Sequence, residues 1–274
     1  MCKVLEVGKS SYYEWLNRKP SRRSIEASRV TSEVIQIYNN SKKRYGSPKI
    51  TVELNKRGIK TSRPRVARIM AKNNLKSIIK KRYRVPTTDS RHDKHISDNV
   101  LGRNFFRDKP SQAWVSDITY IRTKQGWLYL TIIMDLFDRK IIGWSLADNM
   151  TTKATVLNAW RMATTNRPVG NEMIFHSDRG IQYASESFRD ELSRFNVIQS
   201  MSRKGNCWDN AVAENFFKIL KSEMVNHNNY QSYFQARIDI FEFIEIWYNR
   251  QRQHSYLGYL SPDEFRKSIS KQVA

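Results

Sequence analysis

Residues 113–147, AWVSDITYIRTKQGWLYLTIIMDLFDRKIIGWSLA, decide the fold class. Residues 113–121 (AWVSDITYI) alternate with a period of two, and Lys124-Gln125-Gly126 makes a turn. Residues 127–137 (WLYLTIIMDLF) read as a second strand, Asp138-Arg139 turns again, and 140–147 (KIIGWSLA) is a third. Three runs joined by tight turns predict an antiparallel meander. Downstream the pattern changes. Thr151 or Thr152 caps a helix to about Thr165, Met173–His176 is a short apolar strand, Ser185–Phe195 a helix and Val197–Met201 a fifth strand. The order β-β-β-α-β-α-β-α predicts an α/β fold: a mixed five-stranded sheet with flanking helices, its ligand sites at strand ends and in the loops that follow.

The last helix of that series lies in residues 203–224, RKGNCWDNAVAENFFKILKSEM. Arg203 to Asn206 are turn material, and Asp209 or Asn210 is an N-cap. Val212, Ala213, Phe216, Phe217, Ile219 and Leu220 share one side, while Asn210, Glu214, Lys218 and Lys221 share the other. Taken alone, Glu214 with Lys218 is an ordinary solvated pair. Two further carboxylates change that. Asp117 stands inside a strand, where a charge is costly unless paired or metal-bound. Asp178 follows a short strand in HSDRGIQY, as a turn residue or a ligand. Asp135 and Asp138 compete for the role, one near a strand end and one in a turn. Three converging carboxylates repel one another unless a divalent cation joins them, and an all-oxygen set favours Mg²⁺ over zinc. A pair of Mg²⁺ ions about 4 Å apart is the usual device for in-line attack on a phosphodiester.

Charge supports that substrate. The 274 residues carry a formal net charge of +22. Residues 1–96 hold 25 Lys and Arg against 7 Asp and Glu, a net of +18; the remaining 178 hold 23 against 19, a net of +4. A basic part joined to a nearly neutral one suits phosphate binding by the first and chemistry in the second. In the basic part, residues 10–18 (SSYYEWLNR) read as a short helix with Tyr12, Tyr13, Trp15 and Leu16 as packing residues. A helix from about Ile25 to Tyr38 follows, then one begun by Pro48 and stopped at Gly58, then one capped by Thr61 or Ser62 with Pro64 at its start. Helix, short turn, basic helix is the outline of a helix-turn-helix, with Arg63, Arg65, Arg68 and Lys72 on or near its second helix. A small helical bundle with a basic surface is the alternative. From Lys76 to about Asn99 the pattern dissolves into a linker containing Pro86, in which Lys80, Lys81, Arg82 and Arg84 can track a backbone.

Other chemistries find little support. Two cysteines, Cys2 and Cys207, are too few for a disulfide framework or a four-cysteine zinc site, and no Cys-x-x-Cys accompanies His92 and His95. Apolar runs are too short to span a bilayer, and MCKVLEVGKS lacks the apolar core of a secretory signal, so a cytoplasmic protein is expected. Residues 231–250 read as an amphipathic helix whose Phe234, Ile238, Phe241, Ile244 and Trp247 face the core. Asn249, Arg250, Arg252, Gln253 and His254 either reach DNA or finish that helix.

Several phrases are specific enough to carry a resemblance. Asp117, Asp178 and Glu214, with 35 residues between the last two, match the DDE pattern of retroviral integrases and bacterial transposases. WVSDITYI, HSDRGIQY, GNCWDNAVAENFFKILKSE and YNRQRQHSYLGYLSPDEF, with YGSPKI upstream, resemble the second-frame product (OrfB) of insertion-sequence family three transposases over nearly the whole chain. The resemblance implies an RNase H-like core and Mg²⁺-dependent strand cleavage and strand transfer at element ends. Asp117, Asp178 and Glu214 would be its catalytic metal ligands, for two Mg²⁺ ions or Mn²⁺ as substitute. Lys218 and Lys221 hold the places, four and seven residues after the glutamate, where related integrases touch DNA; Asn210, Arg179, Arg65 and Arg68 complete the expected DNA contacts. It further implies double-stranded DNA partners (terminal inverted repeats and target), a first-frame protein (OrfA) by fusion or association, a homo-oligomer on DNA, no membrane and a bacterial, nucleoid-associated location. The expected organisation is a basic helix-turn-helix-like region over 1–75, a basic linker over 76–110, a catalytic core over 111–225 and a helical extension over 226–274. A DNA-binding regulator with a dead catalytic domain and a hydrolase of RNA–DNA hybrids are the rival readings; the intact carboxylates oppose the first and the basic N-terminal helices the second.

Overall fold

Four helices precede the sheet: α1 (Lys9–Leu16), α2 (Arg22–Asn40), α3 (Ser47–Lys56) and α4 (Arg63–Lys72). The Ser21 hydroxyl caps α2 by accepting the Ser24 N–H at 3.2 Å. Pro48 and Pro64 open α3 and α4, where a missing N–H costs nothing. Val30, Val34 and Ile37 of α2, Ile50 and Leu54 of α3, and Val66 and Met70 of α4 are buried and form one core. Gly58, at φ +78°, takes the left-handed conformation that ends α3 and starts the turn to α4. After α4 the chain returns to α2: the Tyr38 hydroxyl donates to the Lys76 carbonyl at 2.7 Å and the Ile78 N–H to the Lys43 carbonyl at 3.1 Å. Tyr12, Tyr13, Trp15 and Leu16, expected as packing residues, are exposed, and α1 buries none of its side chains. The three-helix core closes without them, and α1's aromatic rings meet each other instead, Tyr12 and Tyr13 at 5.5 Å.

The structure is a computed structural model and describes residues 2–79 and 95–273. Two compact units meet in sequence at Ile78 and Ile79. Lys80, Lys81, Arg82, Arg84, Pro86 and His92 lie outside the described residues.

The second unit is built on β1 (Ala113–Thr123), β2 (Gly126–Asp135), β3 (Ile141–Ala147), β4 (Ile174–Ser177) and β5 (Ile198–Met201), in the order β3-β2-β1-β4-β5. β1, β2 and β3 are antiparallel neighbours; β1, β4 and β5 are parallel. Helices α5 (Asn158–Asn166), α6 (Glu186–Arg194), α7 (Ala211–Glu223), α8 (Tyr233–Phe241) and α9 (Pro262–Val273) complete it. The mixed sheet with flanking helices agrees with the sequence pattern. On one face Trp114, Ile133, Ile142 and Phe175 pack with Val156, Ala159 and Trp160 before and within α5 and with Phe188 and Leu192 of α6. Trp160 is the hub, with ring centroids 5.5–5.7 Å from Trp114, Phe175 and Phe195. Gly143 lets α5 approach β3: a Cβ there would lie 2.3 Å from the Ala159 carbonyl oxygen.

Two sequence expectations change here. Residues 97–103, read as linker, are packed along β5: Leu101 is buried and its N–H donates to Ser200 Oγ at 3.1 Å, and the Ser97 hydroxyl bonds Gln199. In the tail, Phe234, Ile238 and Phe241 are exposed, whereas Ala236, Ile240, Phe243 and Trp247 are buried. At 100° per residue Trp247 lies roughly 140° from Phe234, so the five apolar residues grouped from sequence never shared a face. The buried set keeps the i, i+4, i+7, i+11 spacing. The helix then widens into π-type turns over Glu242–Gln251.

Candidate active site

Alternation along β1 sends Trp114 and Ser116 toward α5 and α6 and sends Asp117 to the opposite face. The parallel register pairs Trp114 with Phe175 and Val115 with His176. The pairing stops there, two residues before Asp117 in β1 and two before Asp178 in the turn after β4. Both carboxylates are half-buried. Asp117 Oδ1 accepts the Ile118 N–H at 2.8 Å, and Asp178 Oδ1 accepts the Gly180 N–H at 2.9 Å, which orients each head group. His176, on that face, is no ligand candidate: it is buried between Ser200 Oγ (2.9 Å) and Ser202 Oγ (3.2 Å), and burial lowers its pKa to about 4, against the opposing pull of Asp209.

Glu214, half-buried, lies on the first turns of α7, which packs against β1. Asn210 stands at the N-cap position but makes no cap bond; its Nδ2 donates instead to the Ser116 carbonyl at 2.9 Å, one residue before Asp117. Asp209, the other cap candidate, is fully buried. It accepts bonds from Arg203 N (3.0 Å), Arg203 Nε (2.9 Å), Arg103 Nε (2.6 Å) and Asn99 Nδ2 (2.9 Å). The Arg203 guanidinium, with help from Arg103, holds its carboxyl far below the usual carboxylate range. The loop before α7 is thereby tied to residues 99–103. At its other end Glu223, buried, pairs with Arg252 at 2.8 Å and accepts the Trp247 indole N–H at 2.9 Å.

Tyr183 is fully buried. Its hydroxyl and Ser116 Oγ are 2.7 Å apart, and Ser116 Oγ donates to the Ile132 carbonyl at 2.7 Å. Burial, then the fields of Asp178 and Asp117, push the Tyr183 hydroxyl well above its ordinary pKa, so it stays a donor. Among the described residues no three His, Cys, Asp or Glu side chains are gathered tightly enough to hold a metal ion. The three carboxylates stand on neighbouring, hydrogen-bonded elements rather than in a closed cage.

The competing aspartates are structural. Asp135 and Asp138 are fully buried and each lies 2.6 Å from Arg167, itself 2% exposed. Asp135 also accepts Ser111 N–H (2.8 Å) and Phe137 N–H (2.9 Å). Of the expected DNA contacts, Lys218 and Arg68 are exposed and Lys221 is half-buried. Arg65 is ion-paired with Glu26 at 3.3 Å, and Arg179 donates from Nε to the Ser202 carbonyl at 2.7 Å. Asn210 is a correction: at 3% exposure, with its amide on β1, it has no surface to offer DNA. Asn249, Arg252, Gln253 and His254 are also buried, and the Asn249 side chain exchanges two 3.0 Å bonds with the Ile141 backbone. Arg250 remains exposed. Sequence reasoning passed over Ser116, Tyr183, Arg103 and Arg167; a small polar residue in an apolar strand was the one local signal, at Ser116.

Residues 107–207 and 214–269 match two integrase core domain families, and residues 26–83 match an HTH-like domain. The transposase InsF for insertion sequence IS3A of Escherichia coli (strain K12) is 38% identical over 267 residues, spanning 97% of this chain and 92% of that one. The 31 kDa protein of insertion element IS600 of Shigella sonnei is 36% identical over 274 residues, the full length of both. A chain of the simian T-cell lymphotropic virus intasome, solved with PP2A regulatory subunit B56 gamma, aligns at a TM-score of 0.47 and 14% identity over 85% of this chain and 73% of its own.

Proposed function

The chain belongs to the IS3 family of insertion-sequence transposases, and from that premise we propose that it cuts and joins DNA at the ends of its element through Asp117, Asp178 and Glu214. What supports the proposal is that β1, which carries Asp117, pairs in parallel with β4, which ends one residue before Asp178, and that Asn210 bonds the start of α7 to the backbone beside Asp117. The donor set fits a hard divalent cation: it is all oxygen, and the neighbouring imidazole of His176 is committed to two serines. Mg²⁺, two ions or Mn²⁺ in its place, would supply Lewis-acid activation of the attacking oxygen and charge neutralisation at the leaving oxygen.

In cleavage, a water oxygen bonds to phosphorus, the P–O3′ bond breaks, and the departing 3′ oxygen takes a proton to become a hydroxyl. In strand transfer that 3′ oxygen attacks a target phosphorus and releases a new 3′-hydroxyl, so each step exchanges one P–O bond for another and needs no covalent protein intermediate. Asp117 from β1, Asp178 from the turn after β4 and Glu214 from α7 would hold the cations. Lys218, exposed one turn after Glu214, and Lys221 a turn further clamp the DNA backbone. Helices α3 and α4, with Arg63 and Arg68, bind duplex DNA in the helix-turn-helix manner. Association with a first-frame protein and assembly on paired element ends belong to the same proposal.

The test is a Mg²⁺-dependent cleavage and strand-transfer assay on terminal-repeat oligonucleotides, with the chain fused to its first-frame partner where required. Asp178→Asn and Glu214→Gln are expected to lose at least about 10³-fold in rate while binding DNA like the wild type, the scale of removing charge stabilisation from a transition state. Undiminished activity in both would overturn the metal-triad assignment.

A further inference from the structure

Ser116 is bonded to all three carboxylate-bearing segments. It precedes Asp117 in β1. Its hydroxyl, which donates to the Ile132 carbonyl, accepts the proton of Tyr183, five residues after Asp178. Tyr183 N–H in turn bonds the Gly180 carbonyl at 2.9 Å, and Gly180 N–H bonds Asp178 Oδ1, so the tyrosine is fastened to the turn that carries Asp178. The Ser116 carbonyl accepts Asn210 Nδ2, one helical turn before Glu214. Ser116, Tyr183 and Asn210 are all at most 3% exposed.

We propose that Tyr183–Ser116–Asn210 is a buried positioning frame that sets the spacing of Asp117, Asp178 and Glu214 for metal binding without touching metal or DNA. The proposal rests on the carboxylate assignment above. The design of the frame supports a role beyond stability. Asn210 Oδ1 is buried without a hydrogen-bond partner among the described residues. A half-satisfied buried amide is a poor way to stabilise a helix start, where a Ser, Thr or Asp cap is better. What this amide achieves is to fix the first residues of α7 on the backbone beside Asp117. The Tyr183 hydroxyl likewise lies in the field of both aspartates, and its partner is the side chain of the same Ser116.

The test is Mn²⁺ binding to the full-length protein without DNA, read from the electron paramagnetic signal of the free ion. Tyr183→Phe and Asn210→Leu remove one bond each at nearly the same volume and add no charge; both are expected to weaken Mn²⁺ binding about 10-fold, the lower end for groups that orient metal ligands. In cleavage assays the loss should appear in the Mg²⁺ concentration giving half-maximal rate, with KM for DNA unchanged. Tyr230→Phe is the control, a tyrosine 1% exposed that lies outside the frame, and it should bind Mn²⁺ like the wild type. Wild-type affinity in Tyr183→Phe and Asn210→Leu, or an equal loss in Tyr230→Phe, overturns the frame. Glu214→Gln and Asp117→Asn separate the two ideas: if they bind Mn²⁺ normally the carboxylate assignment itself fails, whereas if they lose it and the frame variants do not, only the frame fails.

Discussion

Arg167 holds two buried carboxylates at 2.6 Å, and its removal would leave both charges uncompensated inside the protein. Breaking a buried pair from one side costs about 3–5 kcal/mol, so Arg167→Met should lower the urea midpoint by that equivalent. Asp209 makes the complementary case, a carboxylate whose folded pKa lies below its unfolded value of 3.8 because Arg203 and Arg103 bond its charged form. Such a group contributes stability that is complete above the unfolded pKa and is lost as pH falls toward the folded pKa, since the unfolded chain then binds the extra proton. Thermal melts from about pH 7 down to about pH 2 should therefore show a drop beginning near pH 4. Asp209→Asn should start from a lower melting temperature at neutral pH and show a shallower drop. Neither role is legible in sequence. Asp209 reads as a cap in CWDNA and Asp138 as a turn residue in FDRK, because Arg103 and Arg167 stand 106 and 29 residues away from them.

Elements were legible where periodicity is strong. All five strands and the helices between them follow the alternation and 3.6-residue patterns of the sequence, because each buries one face against a layer whose composition matches it. Where the chain has more apolar residues than one face can hold, the pattern misleads, as at Phe234, Ile238 and Phe241. Phe234→Ser should change stability by no more than about 0.5 kcal/mol, the range for exposed sites, whereas Phe243→Ala should cost about 3–5 kcal/mol. Equal losses in chemical denaturation would contradict the burial assignment. Gly143 tests the α5–β3 approach. With the Ala159 carbonyl oxygen 2.3 Å from where an added methyl would sit, Gly143→Ala should destabilise by about 3 kcal/mol, the upper part of the range for overpacking.

For the molecule as a whole, charge divides the labour: the basic excess is concentrated in residues 1–96, ahead of the sheet. If DNA binding neutralises about six phosphates, affinity for any duplex should fall roughly 10³-fold between about 50 and 200 mM salt. Arg63→Ala, Arg65→Ala and Arg68→Ala together should reduce the slope of log K against log salt by about three; an unchanged slope would remove α4 from the DNA contact. Sequence by itself determined the mixed sheet and the two-part charge distribution, because alternation and composition are local properties. Tertiary structure alone decided what surrounds the segments that carry Asp117, Asp178 and Glu214. Those answers depend on the β1–β4 register, on Asn210 turning from a cap into a bond to β1, and on a tyrosine 67 residues from the serine it meets. Contacts of that range are fixed by packing of the whole unit, so the bonds of Ser116 to Tyr183 and Asn210 are visible only once the chain is folded.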